Sequence, residues 1–122
     1  FNKIDNCKII GDRDKLIEIF TNLIDNSIKY SDKNKEIIIT AKKDGDLIII
    51  SVADQGIGIP KESIHRITER FFTVDPSKSR SVGGTGLGLA IVKHLVSQHR
   101  AEMNINSIEN QGTTIDIKFN SL

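Results

Sequence analysis

Gly83-Gly84-Thr85-Gly86-Leu87-Gly88-Leu89 holds four glycines within six residues, and the helical pattern Ala90-Ile91-Val92-Lys93-His94-Leu95-Val96 follows it directly. Glycine inside a helix costs up to about 1 kcal/mol against alanine. Several of them at a helix start argue that bare backbone is needed there. Bare N–H groups at a helix N-terminus commonly hold an anion, most often phosphate. Taken alone, the stretch fits two readings equally: a phosphate cradle, or a flexible hinge ahead of a helix. It is not G-x-G-x-x-G, because Leu89 stands where the third glycine belongs. It is not G-x-x-x-x-G-K-[ST] either, because Leu89 follows Gly88 where lysine belongs. Those motifs also tend to follow the first strand of a domain, whereas this one lies in the last third of the chain. The rest of a nucleotide site must therefore come from upstream.

Bulk properties bound the search. A chain of 122 residues suits one domain with a modest core, and 38% hydrophobic with 27% charged residues is ordinary for a globular protein. A net charge of +1 gives no field that would point to nucleic acid or an anionic membrane. The lone Cys7 excludes an internal disulfide or a cysteine metal cluster and fits a reducing compartment. No apolar run approaches transmembrane length and no signal peptide is visible. The chain opens at Phe1 and its only methionine is Met103, so a fragment of a longer protein is expected.

Upstream, Lys8-Ile9-Ile10 reads as a short strand, and Asp12 as the N-cap of a helix running to Tyr30. Leu16, Ile17, Phe20, Leu23, Ile24 and Ile28 recur at three-four spacing and predict its apolar face. Asp32 to Lys35 is a polar turn. Glu36 to Lys42 and Leu47 to Ala53 read as strands joined at Asp44-Gly45, the second one buried and central. Asp54-Gln55-Gly56-Ile57-Gly58-Ile59-Pro60 breaks the pattern. A short helix is predicted from Lys61 to about Phe71 with Pro60 at its start. Thr73 to Val82 has no period and reads as a mobile loop. After the glycine stretch, a helix to about His99 precedes two alternating strands, Met103 to Ile108 and Thr113 to Phe119.

Three clusters could carry chemistry. Asn22 and Asn26 stand four apart on the first helix, with Glu18 a turn before and Lys29 nearly a turn after, on one side away from the apolar face. Asparagine is a weak helix former, so this row favours a ligand-facing function over a merely wet surface. An amide oxygen can complete an Mg²⁺ shell otherwise filled by phosphates and water. Asp54 ends the buried strand beside Gly56 and Gly58 and could accept from an exocyclic amine; by itself, a turn-starting Asp is the commoner reading. Arg70, Lys78 and Arg80 flank the loop, where cations could close over phosphates. Phe71-Phe72 reads as core, and His65, His94 and His99 share no metal spacing.

In this order, the pieces resemble the catalytic ATP-binding domain of bacterial sensor histidine kinases, within the GHKL superfamily. The N box resembles Phe20 to Tyr30, the G1 box Asp54 to Pro60, the F box Ile67 to Phe72, the G2 box Gly83 to Leu89, and the closing glycine motif Gly112-Thr113-Thr114. The resemblance implies an α/β fold: a two-layer α/β sandwich of Bergerat type, with a mixed sheet of about five strands covered on one face by about three helices. It implies one such domain over 1–122. It implies ATP and Mg²⁺ as cofactors, with Asp54 on the adenine amine, Asn26 on the metal, Lys29 on a phosphate and Tyr30 beside the base. Gly56, Gly58, Ile59, Gly84, Thr85, Gly86, Leu87, Gly88, Leu89, Thr113 and Arg80 would complete the nucleotide site. Asn22, Lys29 and Arg70 would serve the transfer, and Thr73 to Val82 would be the lid. The implied partners are a histidine-bearing dimerisation domain of the same parent kinase and a response regulator, with no nucleic acid and no direct membrane contact. The implied location is cytoplasmic, on a parent that can be anchored in the inner membrane. Rival readings are a GHKL-type ATPase, an anti-sigma-type serine kinase and a non-catalytic ATP-binding module. The first normally needs a glutamate where Asn22 stands, and an amide cannot be a general base.

Overall fold

A computed structural model describes residues 3–4, 9–32, 34–81 and 83–120. Cys7, Lys8, Lys33 and Val82 lie outside the described residues. The elements run β1 (Lys3–Ile4), α1 (Arg13–Lys29), β2 (Ile37–Asp44), β3 (Leu47–Asp54), a 3₁₀ helix (Lys61–Arg66), α2 (Pro76–Ser81), α3 (Gly88–Gln98), β4 (Glu102–Ile108) and β5 (Gly112–Asn120). They form one mixed sheet in the order β1-β2-β3-β5-β4. Only the β1–β2 pair is parallel; β2–β3, β3–β5 and β4–β5 are antiparallel. The two-layer α/β expectation holds, with helices on one side of the sheet.

Local chemistry accounts for most boundaries. The Asp12 carboxylate accepts from Asp14 N and Lys15 N at 3.0 and 3.2 Å and so caps α1. Gly45 takes φ +60° in the hairpin between β2 and β3, a conformation that costs other residues about 1–2 kcal/mol. Burial alternates along β5, with Thr113, Ile115, Ile117 and Phe119 facing the helices. Leu89, Val92, Leu95 and Val96 of α3 and Ile19 and Leu23 of α1 pack down on that face with Ile48 and Val52 of β3. Each such aliphatic contributes roughly 1.5–3 kcal/mol on full burial. His99 ends α3 and ties the helix ends together. Its Nδ1 lies 2.8 Å from Leu95 O, and its Nε2 accepts from Asp12 N at 3.1 Å.

Four expectations are corrected. Ile9 and Ile10 are irregular, and the first strand lies at Lys3–Ile4 instead. The predicted helix from Lys61 to about Phe71 is a 3₁₀ helix that stops at Arg66, with turns to Phe71. Its poorer hydrogen-bond geometry limits its length. The loop assigned to Thr73 to Val82 contains α2, started by the Asp75 carboxylate accepting from Ser77 N and Lys78 N. The apolar face of α1 is rotated. Ile19, absent from the predicted stripe, is 0% exposed, whereas Ile17 and Ile28 are 50% and 59% exposed. Three-four spacing alone fits either stripe, and contact with α3 chooses between them.

That rotation is testable by urea denaturation. Ile19→Ala is expected to destabilise the domain by about 2–5 kcal/mol. Ile17→Ala is expected to stay within about 0.5 kcal/mol of the parent.

Candidate functional site

One cleft lies between α1, the end of β3, the 73–75 segment and the start of α3. Its walls include Asn22, Asn26, Lys29, Tyr30, Asp54, Gly58, Ile59, Gly84, Thr85, Gly86, Leu87, Gly88, Leu89 and Thr113. All fourteen of these positions are among those the sequence singled out. Gly56, Arg70 and Arg80 are not brought to it. Both arginines are exposed. Gly56 is buried behind the wall, where a side chain would run into the Tyr30 carbonyl. Its task is to let the turn after β3 close on α1, an approach that the Ile57 N to Tyr30 O bond of 3.1 Å secures. Glu18 is exposed and lies outside the cleft.

Asp54 stands in register with Thr113 at the end of the β3–β5 ladder. Its Oδ1 accepts from Gly56 N at 2.9 Å and Thr113 N at 3.2 Å. Among the described residues no group bonds Oδ2, which is left to accept from a ligand. Asn22 and Asn26 have no side-chain hydrogen bond among the described residues. The Lys29 ammonium lies 2.9 Å from Asp25 and donates to Gly83 O at 3.4 Å.

The start of α3 forms the opposite wall. Leu87 at its N-cap offers no side-chain cap bond to the first-turn N–H groups. A side chain at Gly88 would meet only Asn22 Oδ1, at 3.7 Å, so bare helix backbone faces the asparagine row. Gly86, at φ +73°, packs against the Phe71 backbone, whose N–H donates to Gly86 O at 2.7 Å. Gly84 N donates to Ser79 O at 2.7 Å, and a side chain there would strike Ser79 Oγ and the Tyr30 hydroxyl. The glycines thus serve close backbone packing as well as access, which the hinge reading does not require.

Residues 11–121 match the family described as histidine kinase-, DNA gyrase B-, and HSP90-like ATPase. The chain belongs to that family. Among curated relatives, sensor histidine kinase WalK of Bacillus subtilis is 42% identical over 106 residues, covering 85% of this chain and 17% of WalK. Sensor-like histidine kinase SenX3 of Mycolicibacterium smegmatis is 42% identical over 112 residues, covering 92% of this chain and 29% of SenX3. The chain therefore spans less than a third of these relatives. In solved structures, the mycobacterial sensor histidine kinase MprB superposes with a TM-score of 0.85 at 29% identity, covering 98% of this chain and 80% of that one. Full-length ShkA in complex with AMPPNP superposes with a TM-score of 0.82 at 27% identity, covering 98% of this chain and 25% of that one. The resemblance to the catalytic ATP-binding domain of sensor histidine kinases is borne out.

Within this family fold, several cleft residues escaped the sequence reading. Asp25, Asp75, Ile57, Phe72 and Ile115 all line it. Ile115 was legible as an inward position of β5. Asp25 lies between the two asparagines but carries no period of its own. Phe71, read as core, is 72% exposed with φ +65°, while Phe72 turns inward to the cleft and under the Arg66 guanidinium, 4.5 Å from its ring centroid. Among the described residues, no helix is long and apolar enough to cross a membrane.

The glycine packing gives a paired test in denaturation experiments. A side chain at Gly45 meets nothing within 4 Å, so Gly45→Ala carries only the positive-φ cost of about 1–2 kcal/mol. Gly86→Ala adds a collision with the Phe71 backbone, and both a larger loss and a displaced Phe71 backbone are expected.

Proposed function

We propose that this chain is a single ATP-binding domain, residues 1–122, of a longer sensor histidine kinase. In this reading it binds Mg-ATP and donates the γ-phosphate to a histidine on a separate dimerisation domain. A response regulator then takes the phosphate. The domain works in the cytoplasm, where ATP is available, and its parent can be anchored in the inner membrane. The modest net charge of +1 supports neither nucleic acid nor direct membrane contact.

One observation carries the choice of transfer over hydrolysis. Each carboxylate in the cleft wall has one oxygen already engaged. Asp54 accepts from the Gly56 and Thr113 amides, Asp25 pairs with Lys29, and Asp75 caps α2. The neighbouring Asn22 is an amide and cannot take a proton from water. The chain positions and neutralises, as phosphoryl transfer requires, without activating water. The acceptor imidazole nitrogen would attack the γ-phosphorus as its bond to the ADP oxygen breaks and the imidazole proton is released.

Individual roles follow from placement. Asp54 Oδ2 would accept from the adenine amine, with Tyr30, Gly58 and Ile59 beside the base. The amides from Gly84 to Leu89 would hold phosphate oxygens. Lys29 would exchange Gly83 O for a phosphate. Asn26 offers an uncommitted amide oxygen, which suits a hard cation. Among the described residues no group of three His, Cys, Asp or Glu side chains could hold a metal. Phosphates and water would therefore complete the shell. Bound Mg²⁺ would neutralise phosphate charge. Arg70 and Arg80 would reach the phosphates only from outside the present cleft wall.

Two measurements test this. Asp54→Asn keeps an oxygen for the Gly56 and Thr113 amides but replaces a carboxylate oxygen by a donor. Calorimetry is expected to show ATP binding at least about tenfold weaker, in line with the roughly 1.5–3 kcal/mol of a charge-assisted bond. Unchanged affinity would refute the role of Asp54. In the second measurement, γ-labelled ATP with this chain and a dimerisation domain from the same parent is expected to label that domain at histidine, in an acid-labile, alkali-stable form. The chain alone should hydrolyse ATP very slowly and leave His65, His94 and His99 unlabelled. ATP binding without transfer would point to a non-catalytic module, and rapid hydrolysis to an ATPase.

A further inference from the structure

Ser107 lies on the edge strand β4, outside every motif quoted above and outside the cleft wall. Its hydroxyl nevertheless makes three hydrogen bonds behind that wall. Ile59 N–H lies at 2.8 Å, Gly112 O at 3.0 Å and Thr113 Oγ1 at 2.8 Å. A hydroxyl has one hydrogen and two lone pairs. A carbonyl can only accept, so the Ser107 hydrogen goes to Gly112 O. The Ile59 amide can only donate, so it takes one lone pair. The last lone pair must meet a donor, and that donor is the Thr113 hydroxyl. Thr113 therefore spends its only hydrogen on Ser107, and toward the cleft its oxygen has lone pairs alone. Thr113 is 9% exposed and belongs to the cleft wall next to Asp54. Asp54 Oδ1 is held by two amides, and Oδ2 is likewise an acceptor. The Thr113 and Asp54 side chains therefore present acceptors only.

We propose that Ser107 is a positioning residue that sets base specificity: it fixes the direction of the Thr113 hydroxyl, so that the wall favours a ligand amine and rejects a carbonyl at the same place. The inference rests on the ATP reading and deepens it. Adenine carries an amine at its 6-position, and hypoxanthine carries a carbonyl there. The carbonyl would set its lone pairs against those of Thr113 and Asp54. Without the Ser107 hydroxyl, Thr113 can turn its hydrogen into the cleft and meet the carbonyl, and the preference weakens.

The test titrates ATP and inosine triphosphate against the chain, Ser107→Ala, Ser107→Thr, Thr113→Val and the Ser107→Ala/Thr113→Val double variant. The parent is expected to prefer ATP. That preference is expected to fall about threefold to tenfold in Ser107→Ala, the factor carried by one neutral hydrogen bond. Ser107→Thr, which restores a hydroxyl, is expected to keep it. Thr113→Val removes both the hydrogen and the lone pairs; it is expected to lower the preference too, with Ser107→Ala adding nothing further in the double variant. A general loss of packing would weaken both nucleotides together and leave their ratio unchanged, and that result overturns the proposal. So does an equal effect of Ser107→Ala with and without the Thr113 hydroxyl. If Ser107→Ala does not fold, an unchanged ratio in Thr113→Val overturns it instead. A parent that binds neither nucleotide overturns the ATP reading itself, which the variant ratios alone would not do.

Discussion

The antiparallel pairing of β3 with β5, which ends at Asp54 opposite Thr113, is the constraint on which the site depends. The ladder brings the acidic end of one strand to the start of another 59 residues later in sequence. Two backbone amides then fix one carboxylate oxygen. Holding an acid by backbone N–H groups leaves its second oxygen oriented before any ligand arrives, which reduces the ordering cost of binding. Gly112 makes the arrangement possible. At φ +140°, a side chain there would collide with the Asp54 carbonyl. Gly58, at φ +69°, permits a similar close approach in the loop after β3, where a side chain would strike the Ile108 carbonyl.

The helices work on two sides at once. Ile19 and Leu23 bury one side of α1, while Asn22, Asn26 and Lys29 turn toward the cleft. Leu89, Val92, Leu95 and Val96 anchor α3, and its glycine-opened first turn faces Asn22. Packing α1 against α3 therefore builds the core and aims the asparagine row at bare helix backbone in a single step. The contact from His99 to the α1 cap closes the far end of the same pair. A shift of either helix would disturb stability and site together, so the core contributes to the proposed transfer chemistry through positioning.

How the cleft acids are engaged also bears on that chemistry. Among the described residues their partners are amides and one lysine. Specificity at the base end has the same character. It arises from donor and acceptor directions settled behind the wall, by a serine on an edge strand that a ligand would not touch.

The sequence by itself determined the approximate place of four strands and two long helices, and through the family resemblance its motifs also implied the class of fold and fourteen of the cleft positions. These are local properties: glycine where backbone must be bare, asparagine where a helix should carry something else, and alternation where one strand face is buried. The tertiary structure decided which stripe of α1 is inside, because the choice between Ile17 and Ile19 depends on where α3 lies. It decided that Phe71 faces water and Phe72 the cleft, since a left-handed residue between turn and lid reverses the direction expected of a pair. It decided that Arg70 and Arg80 stand apart from the wall. It alone revealed Ser107, whose hydroxyl joins its hairpin neighbours Gly112 and Thr113 to Ile59, 48 residues away in a separate loop. Long-range hydrogen bonds depend on sheet register, and register is set by the packing of the whole face rather than by any one stretch.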